Sequence, residues 1–158
     1  MTKRLCGYSL IELLVVLAVL ALLAGMAMPM LELTAQRERE RELKHALWEI
    51  RDAIDAWNKA CTLGAIALPV SGLPYPPTLA ALTLVYADQR LDRRGKSLRF
   101  LRKVPRDPFA DPALPAEQTW GLRDYTSNAT APWSGREVYD IYSLSGSKGL
   151  SGEALWRW

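Results

Sequence analysis

Gly7-Tyr8-Ser9-Leu10-Ile11-Glu12, followed by an uncharged run from Leu13 to Leu31, is the stretch that decides how this chain is built. Tyr8 to Leu31 is about 24 residues, or roughly 36 Å as a helix, enough to cross a hydrocarbon core of about 30 Å. A short basic leader, Met1 to Cys6, precedes Gly7, and one carboxylate, Glu12, sits inside the apolar run. A carboxylate at bilayer depth costs about 2.5–3.5 kcal/mol on insertion scales, which marks it as functional.

Glu12 needs a counter-ion, and no Lys or Arg lies between Tyr8 and Leu31. Cutting after Gly7 makes one, because it frees an α-amino group on Tyr8. That amine is poorly placed to serve its own Glu12, one turn along. The amine of a neighbouring copy is the better partner, so the helices are expected to pack side by side after the leader is removed. A secretory signal peptide, with Gly25-Met26-Ala27 as its small-x-small site, and a plain single-span anchor are the simpler readings. Both leave Gly7 and Glu12 unexplained.

Gly7-Tyr8-Ser9-Leu10-Ile11-Glu12-Leu13-Leu14 resembles the processing motif of type IV pilins and of type II secretion pseudopilins. The resemblance implies a prepilin peptidase that cuts after Gly7 and methylates the new N-terminus at Tyr8. It implies that Glu12, at the fifth mature position, directs assembly, and that Pro29 is the family's helix-kinking proline. Ser9 is expected to hydrogen-bond beside Glu12. Further pieces resemble the major pseudopilins: Tyr75-Pro76 with Leu79 and Leu82, Val104-Pro105-Arg106-Asp107-Pro108-Phe109, and Tyr139-Asp140-Ile141-Tyr142-Ser143 with Gly146.

Gly25 and Pro29 weaken the first helix, since glycine lowers helix stability and proline removes a backbone hydrogen bond. Either the segment between them loosens as the subunit leaves the bilayer, or it holds a fixed kink. Beyond Leu33 the pattern turns amphipathic. Leu43, Leu47, Ile50, Ile54, Trp57 and Cys61 recur every three or four residues, with Ala46, Ala53 and Ala60 widening the stripe. Gly64 is a natural stop, so one helix is expected to about residue 63. The alternating run Arg37-Glu38-Arg39-Glu40-Arg41-Glu42 puts opposite charges three apart and like charges four apart. These largely cancel within one helix. The run either pairs between copies or lies solvated.

Residues 64–77, rich in Gly and Pro, read as a loop. Thr78 is placed to cap a short helix to about Leu84, with Leu79 and Leu82 inward. A basic segment from Arg90 to Arg106 has only Phe100 as an interleaved aromatic. It reads as solvated surface or subunit contact rather than a nucleic-acid site. Two strand-like runs, Thr119–Thr126 and Glu137–Ser143, form a hairpin, and Trp156 and Trp158 pin the tail to the domain. The expected class is α+β, one long helix packed on a small antiparallel sheet, type IV pilin-like. The expected division is residues 1–7 as removed leader, 8–31 as transmembrane and assembly helix, and 32–158 as a periplasmic domain.

The formal charge is +3, and Lys3 and Arg4 leave with the leader, so the mature chain is nearly balanced and a nucleic-acid partner is not expected. Those two cations also hold the N-terminus in the cytoplasm, which puts the domain in the periplasm. Cys6 leaves with the leader, so Cys61 has no partner for an internal disulfide and reads as a buried thiol. That favours a secretion pseudopilin over a pilus subunit. The resemblance also implies a calcium site in the C-terminal loop. Leu144–Glu153 holds one acid, Glu153, and a cation, Lys148, against the six to eight oxygens calcium takes, so no metal or other cofactor is expected. His45 lies beside the apolar stripe, and no nucleophile–base or phosphate-cradling pattern is present, so no enzyme is expected.

Three functions stay open at this level. The favoured one is a pseudopilus subunit of type II secretion, whose partners are other pseudopilins in a filament, the prepilin peptidase and an inner-membrane assembly platform. The second is a type IV pilin. The third is a membrane-anchored periplasmic enzyme or binding module.

Overall fold

The computed structural model describes residues 9–93, 95–128 and 130–158, with backbone alone at 26–29. Its first element is the helix α1, Leu10–Thr62, of 53 residues. The chain falls into two compact units, residues 1–38 and 39–158. In the first unit the leucines, isoleucine and valines from Leu10 to Leu23 are exposed, and the helix is long and apolar enough to cross a membrane.

In the second unit α1 buries the expected stripe. Leu43, Leu47, Ile50 and Ile54 are within 1% of complete burial, and Trp57 and Cys61 follow one and two turns further on. Burying a side chain of this kind stabilises the fold by about 1.5–3 kcal/mol, so these turns are the domain's spine. Burial pushes the Cys61 thiol above its ordinary range, which keeps it protonated and unreactive. Gly64 ends the helix with φ +68°, and the motif closes in full: Gly64 N–H donates to the Cys61 carbonyl (3.0 Å) and Ala65 N–H to the Ala60 carbonyl (2.8 Å).

After the loop, Ala80–Thr83 forms a single 3-10 turn. The turn is tighter and shorter than the helix expected to Leu84. Its N-cap is Leu79, which makes no side-chain cap, rather than the expected Thr78; Thr78, one residue earlier, accepts at Oγ1 from Ala81 N–H (3.3 Å), and Leu79 and Leu82 are buried as expected. One sheet was expected and two occur, each of two antiparallel strands. The first pairs β1, Tyr86–Ala87, with β2, Ser97–Leu98. It brackets the start of the basic segment, and two-residue strands leave no alternation to read. The Tyr86 and Phe100 rings pack on Trp57 at 5.0 and 5.3 Å between centroids, which fastens this hairpin to α1.

The second sheet pairs β3, Trp120–Arg123, with β4, Asp140–Ser143, in the register Trp120 with Ser143 and Arg123 with Asp140. Both strands are shorter than the runs that predict them. Asp124 turns the chain after β3 by accepting from the Thr126 N–H (2.9 Å) and hydroxyl (2.8 Å). These two bonds and backbone N–H groups of Arg136 and Glu137 hold its carboxyl below the usual range, although its burial opposes the shift. Val138 N–H goes to the Pro76 carbonyl (2.8 Å), which takes the residues before β4 away from the ladder. Opposite Tyr142 sits Gly121, where any Cβ would run into the tyrosine ring.

Trp120 Nε1 donates to the Pro105 carbonyl (2.8 Å), tying β3 to the Val104–Phe109 turn cluster. At the C-terminus, Leu155 is fully buried and Trp158 packs against the core. Lys44 Nζ lies 4.4 Å from the centre of the Trp158 ring. Leu150 N–H donates to Glu40 Oε1 (2.7 Å), so the Gly/Ser-rich tail is fixed to α1 at a second point.

Candidate functional site

The N-terminal site is built on the first turn of α1. Ser9 immediately precedes the helix, and its carbonyl accepts from Leu13 N–H at 3.2 Å. Glu12 lies in the first turn, where the free N–H groups of a helix N-terminus favour a negative charge. Glu12 is exposed, as are the apolar side chains around it, so its carboxylate stands on a hydrophobic surface with room for a partner. Gly7 and Tyr8 lie outside the described residues. Pro29 is inside α1, whose assignment runs through it without a break, and its side chain is outside the description. Ser9 and Glu12 therefore share one helical turn, while Pro29 is seventeen residues further along the same helix.

The domain holds two ion-paired clasps. Arg51, half-buried on α1, donates through Nε to Asp140 Oδ1 (2.8 Å) and through Nη2 to the carbonyls of Trp158 (2.7 Å) and Ile141 (3.2 Å). Arg123 Nη1 reaches the other Asp140 oxygen at 3.4 Å. One arginine thus joins helix, β4 and tail. Arg51 escapes sequence reading because nothing local marks a helix arginine as the partner of an aspartate 89 positions away. Asp140 is bonded by these arginines, and Asp124 by Thr126. His45 is exposed on α1.

In the second clasp, Arg90 grips buried Asp88 through Nη2 (2.6 Å), Nε (2.9 Å) and its backbone N–H (3.1 Å). Hydrogen bonds from the Arg90 side chain are the main reason that the Asp88 carboxyl is lowered to about 2. An unfolded aspartate titrates near about 3.9, so the unfolded chain takes the proton more readily. The clasp therefore stabilises fully above about pH 5 and fades as pH falls from about 4 toward 2. Arg90→Met is expected to lower the unfolding temperature at pH 7, and the gap to the parent is expected to narrow as pH falls from about 4 toward 2. Thermal unfolding of the detergent-solubilised chain across that range checks it.

A long helix with an apolar N-terminal half, leading into a domain of two small antiparallel sheets, is an α+β architecture that fits the type IV pilin-like fold. Residues 2–28 match the family model of the prokaryotic N-terminal methylation motif, the hallmark of type IV pilin-like prepilins and pseudopilins. The motif implies processing by a prepilin peptidase and assembly into a pilus-like filament, and it points to a structural subunit, a class that is usually non-enzymatic. Together with the apolar helix it fits an inner-membrane anchored protein. Neither curated proteins nor solved structures give a match.

Proposed function

We propose that this chain is a structural subunit of a type II secretion pseudopilus, made as a prepilin and assembled through the helix that starts at Tyr8. The observation that carries the reading is the methylation motif with Glu12 in the first turn of a membrane-capable helix. Residues 1–7 are the leader, 8–31 the transmembrane and assembly helix, and 32–158 the periplasmic domain. Gly7 and Tyr8 are the processing positions. Glu12 pairs with the Tyr8 amine of a neighbouring copy, Ser9 hydrogen-bonds beside it, and Pro29 interrupts the hydrogen-bond ladder that must rearrange on leaving the bilayer. The secretion machine is favoured over a pilus because Cys61, buried and free, has no second cysteine in the mature chain with which to close a C-terminal loop.

Intact-mass measurement of the chain from membranes tests the processing step. The expected product begins at N-methylated Tyr8, and Gly7→Val is expected to retain residues 1–7. A parent chain that begins at Met1, or beyond Pro29, removes the reading. Deleting the gene should then stop export of secreted proteins while leaving surface pili intact; loss of pili with normal export assigns the chain to a pilus instead.

A further inference from the structure

We propose that the basic hairpin around β1 and β2 is a docking surface for a second copy of this chain, and that it seats on the acidic ridge of α1 around Trp48. The proposal rests on the filament reading above and names the domain surfaces that would meet in it. The charge of the domain is sharply divided. Residues 90–106 hold eight cations and one acid, whereas the rest of residues 39–158 holds nine cations and thirteen acids. Three cations of the segment are engaged: Arg90 by Asp88, Arg93 by Asp92 at 3.7 Å, and Arg106 by the Asp111 carbonyl. Lys96, Arg99, Arg102 and Lys103 are exposed and have no ion pair among the described residues.

A complementary surface lies on α1. Glu49, Asp52 and Asp55 are exposed, follow one another at three-residue steps on the solvent side, and likewise have no ion pair among the described residues. Trp48 stands at the head of this ridge and is 71% exposed. An exposed tryptophan among charges is the residue type that anchors protein contacts, and its ring face attracts arginine and lysine. Of these charges, Glu49, Asp52 and Arg102 share a groove of about 340 Å³ with Phe100, and its opposite charges do not close to ion-pair distance.

The unmet cations of one copy therefore match the unmet acids of another. A contact in which the basic surface of one copy meets the acidic surface of the next is head-to-tail and leaves a free surface of each kind at the ends, so it propagates from copy to copy as a filament requires. The Asp88–Arg90 clasp fixes the base of the basic loop, so the cations are presented from a held hairpin. Charge pairing at an exposed contact sets register and weakens in salt.

The test uses the full-length chain in cells, with Cys6 and Cys61 replaced by alanine. One copy carries Asp52→Cys and the other Arg99→Cys. Oxidation of the sheared filament fraction is expected to give a crosslinked pair when both are expressed, and none with either alone. In parallel, Arg99→Glu with Lys103→Glu is expected to lower the filament fraction about tenfold. Co-expression with a copy carrying Asp52→Lys and Asp55→Lys is expected to restore it. These are surface positions, and rescue by the opposite reversal separates lost docking from lost folding. Filaments that form without the mixed crosslink and ignore the charge reversals overturn the docking and leave the assembly reading intact. A crosslink between two Arg99→Cys copies shows a two-fold contact and overturns it as well. A parent chain that forms no filament removes both.

Discussion

Glu12→Gln leaves the subunit in the membrane and removes it from filaments, with incorporation falling by two orders of magnitude or more. The substitution keeps side-chain volume and deletes only the charge, so insertion of the apolar helix from Leu10 to Leu31 proceeds at least as well as before. What changes is assembly. In the proposed filament the carboxylate meets the Tyr8 amine of the next copy amid leucine and valine side chains, where water no longer screens the pair. Removing one member of such a pair strands the other charge in an apolar setting, at about 3–5 kcal/mol. At about 1.4 kcal/mol per factor of ten, that is a loss of roughly two to three and a half orders of magnitude per contact, repeated at every subunit. Glu12→Asp keeps the charge on a stem one methylene shorter and is expected to retain part of the incorporation. The ratio of sheared to membrane-held subunit, measured by quantitative immunoblot, reads both. Normal incorporation of Glu12→Gln would show that the acid has no part in assembly.

The N-terminal half was legible because membrane chemistry makes single residues informative. One acid in an apolar helix demands an explanation, and with the glycine before it that acid belongs to the stretch that matches the methylation motif. The stripe on α1 was legible for a related reason: Leu43, Leu47, Ile50, Ile54, Trp57 and Cys61 repeat often enough to fix a face. The β region was harder to read. Strands β1 and β2 are two residues each, too short for alternation, and bonds to groups outside them help set their position. Tyr86 hydroxyl donates to the Ala81 carbonyl, and Gln89 N–H to the Ala65 carbonyl. The limits of β3 and β4 depend on what Asp124 and Val138 bond to across the fold, which no local pattern records. Arg51 shows the same thing in one side chain, since three of its bonds go to residues 140, 141 and 158. Trp48, which the periodicity places off the buried stripe, is legible as exposed once the stripe is drawn, but its acidic neighbours gain meaning only when the basic hairpin is seen beside them.

Asp107→Ala is expected to destabilise the unit of residues 39–158 by about 3 kcal/mol, as much as the loss of a large core side chain. Asp107 is wholly enclosed, and so are Ser143 and Thr119 next to it. Its Oδ2 accepts from the Ser143 hydroxyl at 2.5 Å and its Oδ1 from Phe109 N–H at 2.7 Å. Its own N–H donates to Thr119 Oγ1 at 3.2 Å, and that hydroxyl passes its proton bond to the Ala116 carbonyl at 2.6 Å. One carboxylate thus staples the Val104–Phe109 turn to the end of β4, where Ser143 pairs with Trp120 of β3. Alanine leaves the buried Ser143 hydroxyl and the part-buried Phe109 amide with no acceptor, and a buried group so stranded costs about 1–3 kcal/mol. Asp107→Asn keeps an acceptor for Phe109 and turns the second contact into an amide facing a hydroxyl. That hydroxyl already accepts from Ser145 N–H at 3.1 Å, so its proton has to find a new acceptor. The expected cost is therefore smaller, about 1–2 kcal/mol. Ser143→Ala should fall near the same value, because it removes one bond and leaves the carboxylate with its other donor. Denaturant titration of the three variants followed by tryptophan fluorescence ranks them. A cost for Asp107→Ala no larger than that of Ser143→Ala would show that the carboxylate is not what holds the turn to the sheet.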